Sequence, residues 1–402
     1  MPSPSFLEMR SRNAIHILQA VRESPGMSRA ELAKVCDLAK STVSSIVDQL
    51  TEATILTESG PKPSISGRRA VGLVFNPKCR FSIGISIDND RIECALSDLD
   101  GKLAATRRKR LQQNLDADSL ASLVCHEVGK MLATKSIDAT GFVGLGIAAP
   151  GPISPGRQAT LNGNPIHLES LAKYLLEKLS LNCRLGFDSN TNMAAIAECH
   201  KSSAGLGEVT LVVRLGSEVR AAVMKDRELL RGKEGLAGNI GHIVCPDNTR
   251  DCYCGRRGCI NAVAGINSIV SICRGLGAPV QHIDDVIAAA KHGDNRCITA
   301  LANAATAIGY GIACAVNILA PSELIVTGKL VESGQHVQNP LETALKLYGL
   351  SSNHCDIHWN SQAQYSEAVG ASLLPLQDNT FLAALVSNSE TGQPQGDAHA
   401  AS

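Results

Sequence analysis

One histidine and three cysteines lie within eighteen residues in the second half of the chain. His242 is followed by Cys252, Cys254 and Cys259, which gives the spacing His-x9-Cys-x-Cys-x4-Cys. A closed, four-coordinate zinc site with a Cys3His shell requires such a donor set, and it leaves no position for a reactive water. Glycines between Cys254 and Cys259 allow the tight turns that bring both sulfurs to one ion. The pattern therefore predicts a structural zinc; the alternative is a set of unrelated buried cysteines among the 14 of the chain.

Length and composition limit the classes of protein to consider. The 402 residues carry 38 basic and 38 acidic side chains, so no overall charge draws the chain to nucleic acid or membranes. Cysteines without a secretion signal favour a reducing cytoplasm. No apolar run approaches the roughly 20 residues that span a bilayer. We expect a cytoplasmic protein without membrane insertion, with two or three domains of α/β type.

The first 80 residues are basic, with eleven bases against seven acids. A first amphipathic helix ends near Ser24-Pro25-Gly26. Ser28 and Glu31 form a capping-box pattern for a second helix, and a third begins near Lys40. Segments 55–58 and 71–75 then predict a hairpin. This order is typical of a winged helix-turn-helix domain; the alternative is a helical bundle that mediates protein contacts only.

Small polar and basic side chains at the start of a recognition helix can reach base edges and phosphates, and arginines on a wing can reach the minor groove. The residues that we expect to contact DNA are Ser28, Arg29, Lys40, Ser41, Thr42, Ser44, Ser45, Arg68 and Arg69.

After residue 80 the pattern changes to alternating strands and helices. Strands are predicted at 81–87, 92–97 and 142–147, a helix at 117–134, and a second strand-rich cycle from 209. Two such cycles favour a duplicated α/β architecture with a cleft between two lobes. The run Arg107 to Arg110 is expected to be a solvated basic turn; the alternative is a contact for DNA or a protein partner. The predicted domains are 1–78, 79–385 and a disordered tail at 386–402.

Seven segments in a fixed order resemble the ROK family (repressor, open reading frame, kinase). They are SRAELA, KSTVSSIVDQL, GIAAPGP, NMAAIAE, LLRGKEGLAGNIGH, CYCGRRGCINAVAG and VNILAPSELIVTG. The resemblance covers about residues 13 to 379. It implies an actin-like sugar-kinase fold fused to the winged helix-turn-helix domain. Within the family, the chain resembles repressors of sugar-utilisation genes, such as those for glucose and N-acetylglucosamine.

The chain departs from the family's kinases at the positions that serve phosphoryl transfer. Where kinases carry Asp-x-Gly-Gly-Thr, this chain has segment 86–90, and we expect Asp88 and Asp90 to repel ATP phosphates. Asn190 stands at the position of the catalytic aspartate, and an amide is not a general base. Asp188 is the nearest carboxylate and could replace it only if the turn shifts. Glu218 ends the second phosphate loop, so the resemblance predicts a protein that is not an enzyme.

The sugar site of the family is altered but still polar. Asn239 and Asn261 replace two glutamates that hold sugar hydroxyls, and an amide can both donate and accept. We expect His242 to bind metal through one nitrogen and to leave the other free for a ligand. The effector residues implied by the resemblance are Asn164, Asn190, Asn239, His242 and Asn261. The alternative is a cleft that binds nothing and serves as a dimer scaffold.

These patterns predict a transcriptional regulator, a repressor of carbohydrate genes, that binds a double-stranded operator. One helix-turn-helix reads only a half-site, so we expect a homodimer or homotetramer. A sugar or sugar phosphate in the cleft would control DNA binding. The alternatives are a ROK sugar kinase with a DNA-binding arm and a regulator controlled by a protein partner.

Overall fold

The computed structural model describes most of the chain. The described residues are 6–61, 71–111, 115–133, 141–153, 158–161, 164–201, 208–226, 228–246, 248–350, 355–360 and 365–377. Arg68 and Arg69 of the predicted wing and the predicted tail lie outside these residues.

Three helices and a hairpin form the N-terminal domain. They are α1 (Phe6–Glu23), α2 (Arg29–Val35), α3 (Lys40–Glu52), β1 (Leu56–Pro61) and β2 (Val71–Phe75). The two strands are antiparallel. Buried side chains from all five elements form one core. The predicted helix-turn-helix with its hairpin is confirmed.

The start of α2 is fixed by the predicted capping box. The backbone N–H of Ser28 donates to Glu31 Oε2 at 2.7 Å, and the backbone N–H of Glu31 donates to Ser28 Oγ at 3.3 Å. This exchange satisfies two amide groups that the first helical turn leaves without partners. The capping box therefore sets where α2 begins.

A five-stranded sheet with helices forms lobe 1. Its elements are β3 (Phe81–Ile87), β4 (Arg91–Asp98), β5 (Leu103–Arg110), α4 (Ala117–Ala133), β6 (Phe142–Ala149), β7 (Gln158–Leu161), β8 (Asn164–His167), α5 (Leu168–Leu179), β9 (Arg184–Ser189) and α6 (Asn190–Lys201). The strand order is β5-β4-β3-β6-β9, while β7 and β8 form a separate hairpin. Strands β3, β4 and β5 are antiparallel, whereas β6 and β9 run parallel to β3.

Lobe 2 repeats this topology. Its elements are β10 (Val209–Leu215), β11 (Val219–Lys225), β12 (Glu228–Leu229), α7 (Asn261–Ala264), α8 (Ile266–Gly275), α9 (Ile283–Lys291), α10 (Asn295–Leu319), β13 (Glu323–Thr327), α11 (Gln335–Tyr348) and β14 (Asp356–Trp359). The order β12-β11-β10-β13-β14 again joins an antiparallel meander to two parallel strands. Residues of both lobes line two cavities, of about 300 and about 130 Å³. The predicted duplication with a cleft is confirmed.

The last described helix, α12 (Ser366–Gln377), returns to lobe 1 and crosses β3 and β6. Two glycines permit this close contact between backbones. A Cβ atom at Gly84 would lie 1.8 Å from the carbonyl oxygen of Ala368, and one at Gly146 would lie 1.8 Å from that of Ala371. Any side chain at these positions would push the helix off the sheet.

Helix α10 differs from the expectation that no segment is long and apolar enough to cross a membrane. It has 25 residues, and its most apolar window has a mean hydropathy of 1.5. However, 61% of that window is buried inside the protein. Such burial is typical of a core helix, and α10 packs against α11 and the other helices of lobe 2.

The basic run from Arg107 to Arg110 is not a solvated turn. It lies on β5, at the edge of the lobe 1 sheet. Three of its four bases are paired within the protein, in the ion pairs Arg107–Glu127 at 2.7 Å, Arg108–Glu93 at 2.6 Å and Arg110–Asp284 at 2.6 Å. The last pair connects lobe 1 to α9 of lobe 2, so this run contributes to the contact between the lobes.

We predict that Gly84→Ala destabilises the protein, because the new methyl group would collide with the backbone of α12. Overpacking costs about 1–3 kcal/mol even where side chains can move, and a backbone atom moves less readily, so we expect at least about 3 kcal/mol. Denaturant unfolding followed by circular dichroism measures the change.

Gly275→Ala is the matched control, since a Cβ at Gly275 meets no atom within 4 Å. Its unfolding midpoint should stay the same or rise slightly, because alanine favours the helix by about 1 kcal/mol. Equal midpoints for Gly84→Ala and the wild type would show that α12 does not pack on β3 in this way.

Candidate functional site

Helix α3 presents a polar face at its N-terminal end. Lys40, Ser41 and Ser45 are exposed, while Thr42 and Ser44 are half-buried. The opposite face is buried in the domain core through Val43, Ile46, Val47 and Leu50. This division leaves the first turns of α3 available to a groove of DNA, as a recognition helix requires.

Three of the predicted DNA contacts are engaged within the domain. Ser45 Oγ accepts a hydrogen bond from Arg10 Nη2 at 3.2 Å. Ser28 is buried, and its hydroxyl is used by the capping box with Glu31. We therefore assign Ser28 to positioning α2 and not to DNA. Arg29 forms an ion pair with Asp48 of α3 at 2.6 Å. Since the Arg29 side chain is 38% exposed, a phosphate can still reach it.

The four predicted metal ligands lie together. Their ligand atoms are all within 4.8 Å of one another. Nδ1 of His242 is 3.8 Å from Sγ of Cys252, and Sγ of Cys254 is 3.7 Å from Sγ of Cys259. His242 ends a short 3₁₀ helix (Ile240–His242), and the cysteines lie in a loop before α7. Gly255 and Gly258 have φ angles of 83° and 90°, which confirms the expected need for glycine there.

This donor set fits a tetrahedral metal ion. Metal–sulfur bonds of about 2.3 Å put two tetrahedral sulfurs about 3.7 Å apart, which matches the cysteine pair. Burial raises the pKa of the Cys259 thiol to about 12, whereas the backbone amide of Arg256 lowers that of Cys254 to about 6. A cation is therefore needed to hold all three sulfurs as thiolates near neutral pH. The cluster can bind a metal ion.

Three of the five predicted effector residues surround the start of β11. Asn239 and His242 flank a single turn of 3₁₀ helix, and Asn261 begins α7. Asn261 is 4% exposed, and its Oδ1 accepts a hydrogen bond from the backbone N–H of Val219 at 2.8 Å. Its Nδ2 is buried and has no hydrogen-bond partner among the described residues. Such a donor requires a ligand or water to satisfy it.

The second nitrogen of His242 is not free, contrary to the sequence-based expectation. Nε2 lies 3.0 Å from Oη of Tyr253, which in turn donates a hydrogen bond to Glu218 Oε1 at 2.6 Å. The two rings meet edge to face, with centroids 5.3 Å apart. A direct contact between His242 and an effector would have to break this arrangement, so we assign His242 to the metal cluster.

Asn190 and Asn164 belong to lobe 1, whereas the other three belong to lobe 2. Asn190 is 2% exposed; its Oδ1 accepts from Ser86 Oγ at 3.0 Å, and its Nδ2 donates to the carbonyl of Ile87 at 2.8 Å. It therefore ties α6 to β3 and has little left to offer an effector. Asn164 is exposed on β8 and lines a separate cavity of about 300 Å³. None of the other four predicted effector residues lines that cavity.

Asp188, the carboxylate nearest to the kinase base position, is also engaged. It is 5% exposed. Its Oδ1 accepts from the side chain of Asn192 at 2.7 Å and from the backbone N–H of Ser189 at 2.7 Å. Its Oδ2 is paired with Arg231 from the segment after β12. A carboxylate held on both oxygens is poorly placed to accept a proton from a substrate.

A buried arginine joins the two lobes at the expected phosphate site. Nη2 of Arg214 on β10 lies 2.5 Å from Asp88 Oδ2, and its Nε lies 2.6 Å from Glu367 Oε1 on α12. The three side chains are 4%, 6% and 8% exposed. Burial raises the pKa of Asp88, but the charge of Arg214 outweighs that effect and the pKa falls to about 2.

The sequence predicts that Asp88 repels ATP phosphates. In the structure, however, the charge of Asp88 is compensated by the buried Arg214. A phosphate at this position would have to separate a buried guanidinium from the two carboxylates that it bonds. Sequence reasoning missed Arg214 and also Arg220 on β11. In each strand, the signal that could have identified them was an arginine directly between two apolar residues.

Comparisons with known proteins agree with this architecture. A profile of the ROK family matches residues 82–378, and a profile described as winged helix-turn-helix DNA-binding matches residues 10–54. The chain belongs to the ROK family. It is 27% identical over 361 residues to the xylose repressor of Bacillus subtilis, covering 89% of this chain and 92% of that protein. It is 22% identical over 376 residues to the DNA-binding transcriptional dual regulator NagC of Escherichia coli, covering 90% and 92%.

Solved structures of ROK proteins share the fold. A ROK-family transcriptional regulator, described as a homologue of the Escherichia coli Mlc protein, matches with a TM-score of 0.76 at 20% identity, over 94% of this chain and all of that one. A ROK-family glucokinase from Streptomyces griseus, in complex with glucose and AMPPNP, matches with a TM-score of 0.63 at 22% identity, over 74% of this chain and 100% of that chain. The family therefore includes repressors and kinases on one two-lobed fold.

We predict that Arg214→Met destabilises the protein by about 3–5 kcal/mol, because it removes the guanidinium that both buried carboxylates bond. Urea unfolding at pH 7 measures the change. Arg296→Met is the control, since its ion pair with Asp294 is on the surface; its cost should stay below about 1 kcal/mol. A loss of similar size in both variants would contradict the network's role.

The same network predicts a dependence on pH. The folded-state pKa of Asp88 is about 2, below the ordinary value of about 3.9 in an unfolded chain. Its contribution to stability is therefore complete above about pH 4 and is lost as the pH falls towards about 2. In Asp88→Asn, stability should change less with pH across this window than in the wild type, as urea unfolding at several pH values would show.

Proposed function

We propose that this ROK protein is a DNA-binding transcriptional regulator, a repressor of carbohydrate-utilisation genes whose DNA binding is controlled by a sugar or sugar phosphate. The observation that carries the proposal is the exposed polar start of α3 on a winged helix-turn-helix domain, fused to lobes whose phosphate site is closed by Arg214. Relatives aligned over about nine-tenths of their own length are named as repressors of xylose or N-acetylglucosamine, which supports the regulatory role.

We predict that Lys40→Ala weakens binding to a DNA fragment selected from random sequence by the full-length protein. Lys40 is exposed at the first turn of α3, where a phosphate contact releases a counterion. The slope of log K against log salt should therefore become smaller by about 0.9. Fluorescence anisotropy at several salt concentrations measures this slope.

Lys291→Ala is the matched control for charge, since Lys291 is exposed at the end of α9 in lobe 2. Its affinity and its salt slope should equal those of the wild type. An unchanged slope in Lys40→Ala, or an equal loss in both variants, would contradict the assignment of α3 as the recognition helix.

The metal of the Cys3His cluster is proposed to be a structural Zn²⁺, held by His242, Cys252, Cys254 and Cys259. When bound, the ion would cross-link the loop that precedes α7. We predict one zinc per chain in the wild type and near none in Cys259→Ala, measured by plasma mass spectrometry, with weaker operator binding by the variant. Cys125→Ala on α4 should retain the zinc. Full repression by a metal-free Cys259→Ala protein would contradict this role.

The protein is proposed not to be a kinase. Asn190 replaces the catalytic aspartate and is bonded inside lobe 1, and Asp188 is held on both oxygens. Glu218 lies in the turn where the family's kinases carry a glycine-rich phosphate loop, and Arg220 follows it on β11. These features support a cleft that binds an effector but does not catalyse phosphoryl transfer. The competing function is a kinase with a DNA-binding arm.

The proposed effector is polyhydroxylated, because lobe 2 holds buried donors that have no hydrogen-bond partner among the described residues. Nδ2 of Asn261 and Nε of Arg220 make no hydrogen bond to the described residues. Hydroxyl oxygens accept from such donors. The names of the xylose and N-acetylglucosamine repressors are consistent with a sugar of this kind.

For assembly, we propose a homodimer or homotetramer in the cytoplasm that places two reading heads on a pseudo-palindromic operator. The proposed domains are 1–78 for DNA binding and 79–385 for effector binding and oligomerisation. An effector would act by its different affinity for the assemblies with and without DNA. Control by a protein partner in place of a sugar is the competing mechanism.

The experiment that tests the function is a thermal-shift screen of the zinc-loaded protein against sugars, amino sugars, their phosphates and ATP–Mg²⁺. A ligand at a hundred times its dissociation constant should stabilise the protein by about 2.7 kcal/mol. We expect a shift with one sugar and none with ATP. Asn261→Asp should lose the shift, because it keeps the acceptor for Val219 but removes the free donor. An ATP shift would favour the kinase, and no shift at all would favour a protein partner.

A further inference from the structure

Tyr253 lies between two of the metal-cluster cysteines and connects them to the turn between β10 and β11. Its hydroxyl donates to Glu218 Oε1 at 2.6 Å and lies 3.0 Å from His242 Nε2. Glu218 belongs to the turn between β10 and β11, where the backbone N–H of Gly216 bonds to its carbonyl at 3.3 Å. Glu218, Tyr253 and His242 therefore form a continuous series of hydrogen-bonded side chains from this turn to the metal cluster.

The chemistry of the three groups sets the direction of each hydrogen bond. An ionised carboxylate only accepts, so the tyrosine O–H donates to Glu218. The lone pairs of Oη then accept from Nε2–H of His242. With its proton on Nε2, the imidazole turns the lone pair of Nδ1 towards Cys252, from which Nδ1 is 3.8 Å away. The chain thus selects the tautomer that a metal ligand needs.

A buried positive charge supports the carboxylate end of the chain. Arg220 is 6% exposed on β11. Burial lowers its pKa, and Glu218 is the main charge that opposes this shift. The carboxylate of Glu218 therefore favours the charged guanidinium of Arg220. The spacing of the metal ligands gives no sign that Arg220, Glu218 or Tyr253 lies near the metal cluster.

We propose that Tyr253 and Glu218 are positioning residues of the metal site, which fix His242 as an Nδ1 ligand and anchor the cysteine loop to the β10–β11 turn of the cleft. The inference rests on the proposed zinc. Outer groups that orient a metal-binding histidine typically change metal affinity 10- to 100-fold. Because Tyr253 is largely exposed, water can partly replace it, and the effect should be near the lower end.

The test compares zinc affinity of the full-length wild type, Tyr253→Phe and Glu218→Ala by competition with a chromophoric chelator. Each variant should bind zinc about tenfold more weakly. Because the two residues act in one chain, the double variant should lose no more than the larger single loss. Glu228→Ala, which removes an exposed carboxylate on β12, should bind zinc like the wild type. If the losses of zinc affinity in the two single variants add up in the double variant, the two residues act independently and the proposal is wrong.

A second measurement does not depend on the folding of any variant. In the zinc-loaded wild type, ¹⁵N shifts of selectively labelled histidine should show one imidazole that is metal-bound at Nδ1 and protonated at Nε2. Metal on Nε2 would overturn the inference. If the wild type binds zinc and the variants bind it equally well, the positioning role of Tyr253 and Glu218 is wrong but the proposed zinc site stands. If the wild type binds no zinc, both proposals are wrong.

Discussion

The contact between the two lobes depends on the guanidinium of Arg214, which is shared by Asp88 at the end of β3 and Glu367 at the start of α12. Burying three charges costs several kcal/mol for each, so the arrangement is stable only while every partner is present. One buried ion network thus connects both lobes through residues of β10, the end of β3 and the start of α12.

The cysteine loop contacts the turn between β10 and β11. Glu218 and Arg220 at this turn carry opposite charges, and Tyr253 extends the arrangement to His242. Asn261 bonds the backbone N–H of Val219 next to the same turn. The proposed effector residue Asn261 and the metal cluster therefore both contact one segment of lobe 2.

Much of the fold and part of the site could be predicted from local patterns. The capping box of Ser28, the apolar face of α3 and the two strand-rich cycles all depend on neighbours along the chain, and the structure has them as expected. The metal cluster was predictable because its ligands lie within one loop. Asn190 could not be interpreted in this way, since its hydrogen bonds to β3 depend on the direction in which its side chain points.

The sequence by itself determined the helix-turn-helix, the order of the elements and the Cys3His cluster, because periodicity, capping and short loops act over a few residues. Only the tertiary structure decided which charges are paired. Arg214 meets Asp88 across 126 positions of the chain and Glu367 across 153, and no local rule relates residues so far apart. The same holds for Arg110 and Asp284, where a run that looked solvated forms a contact between the lobes.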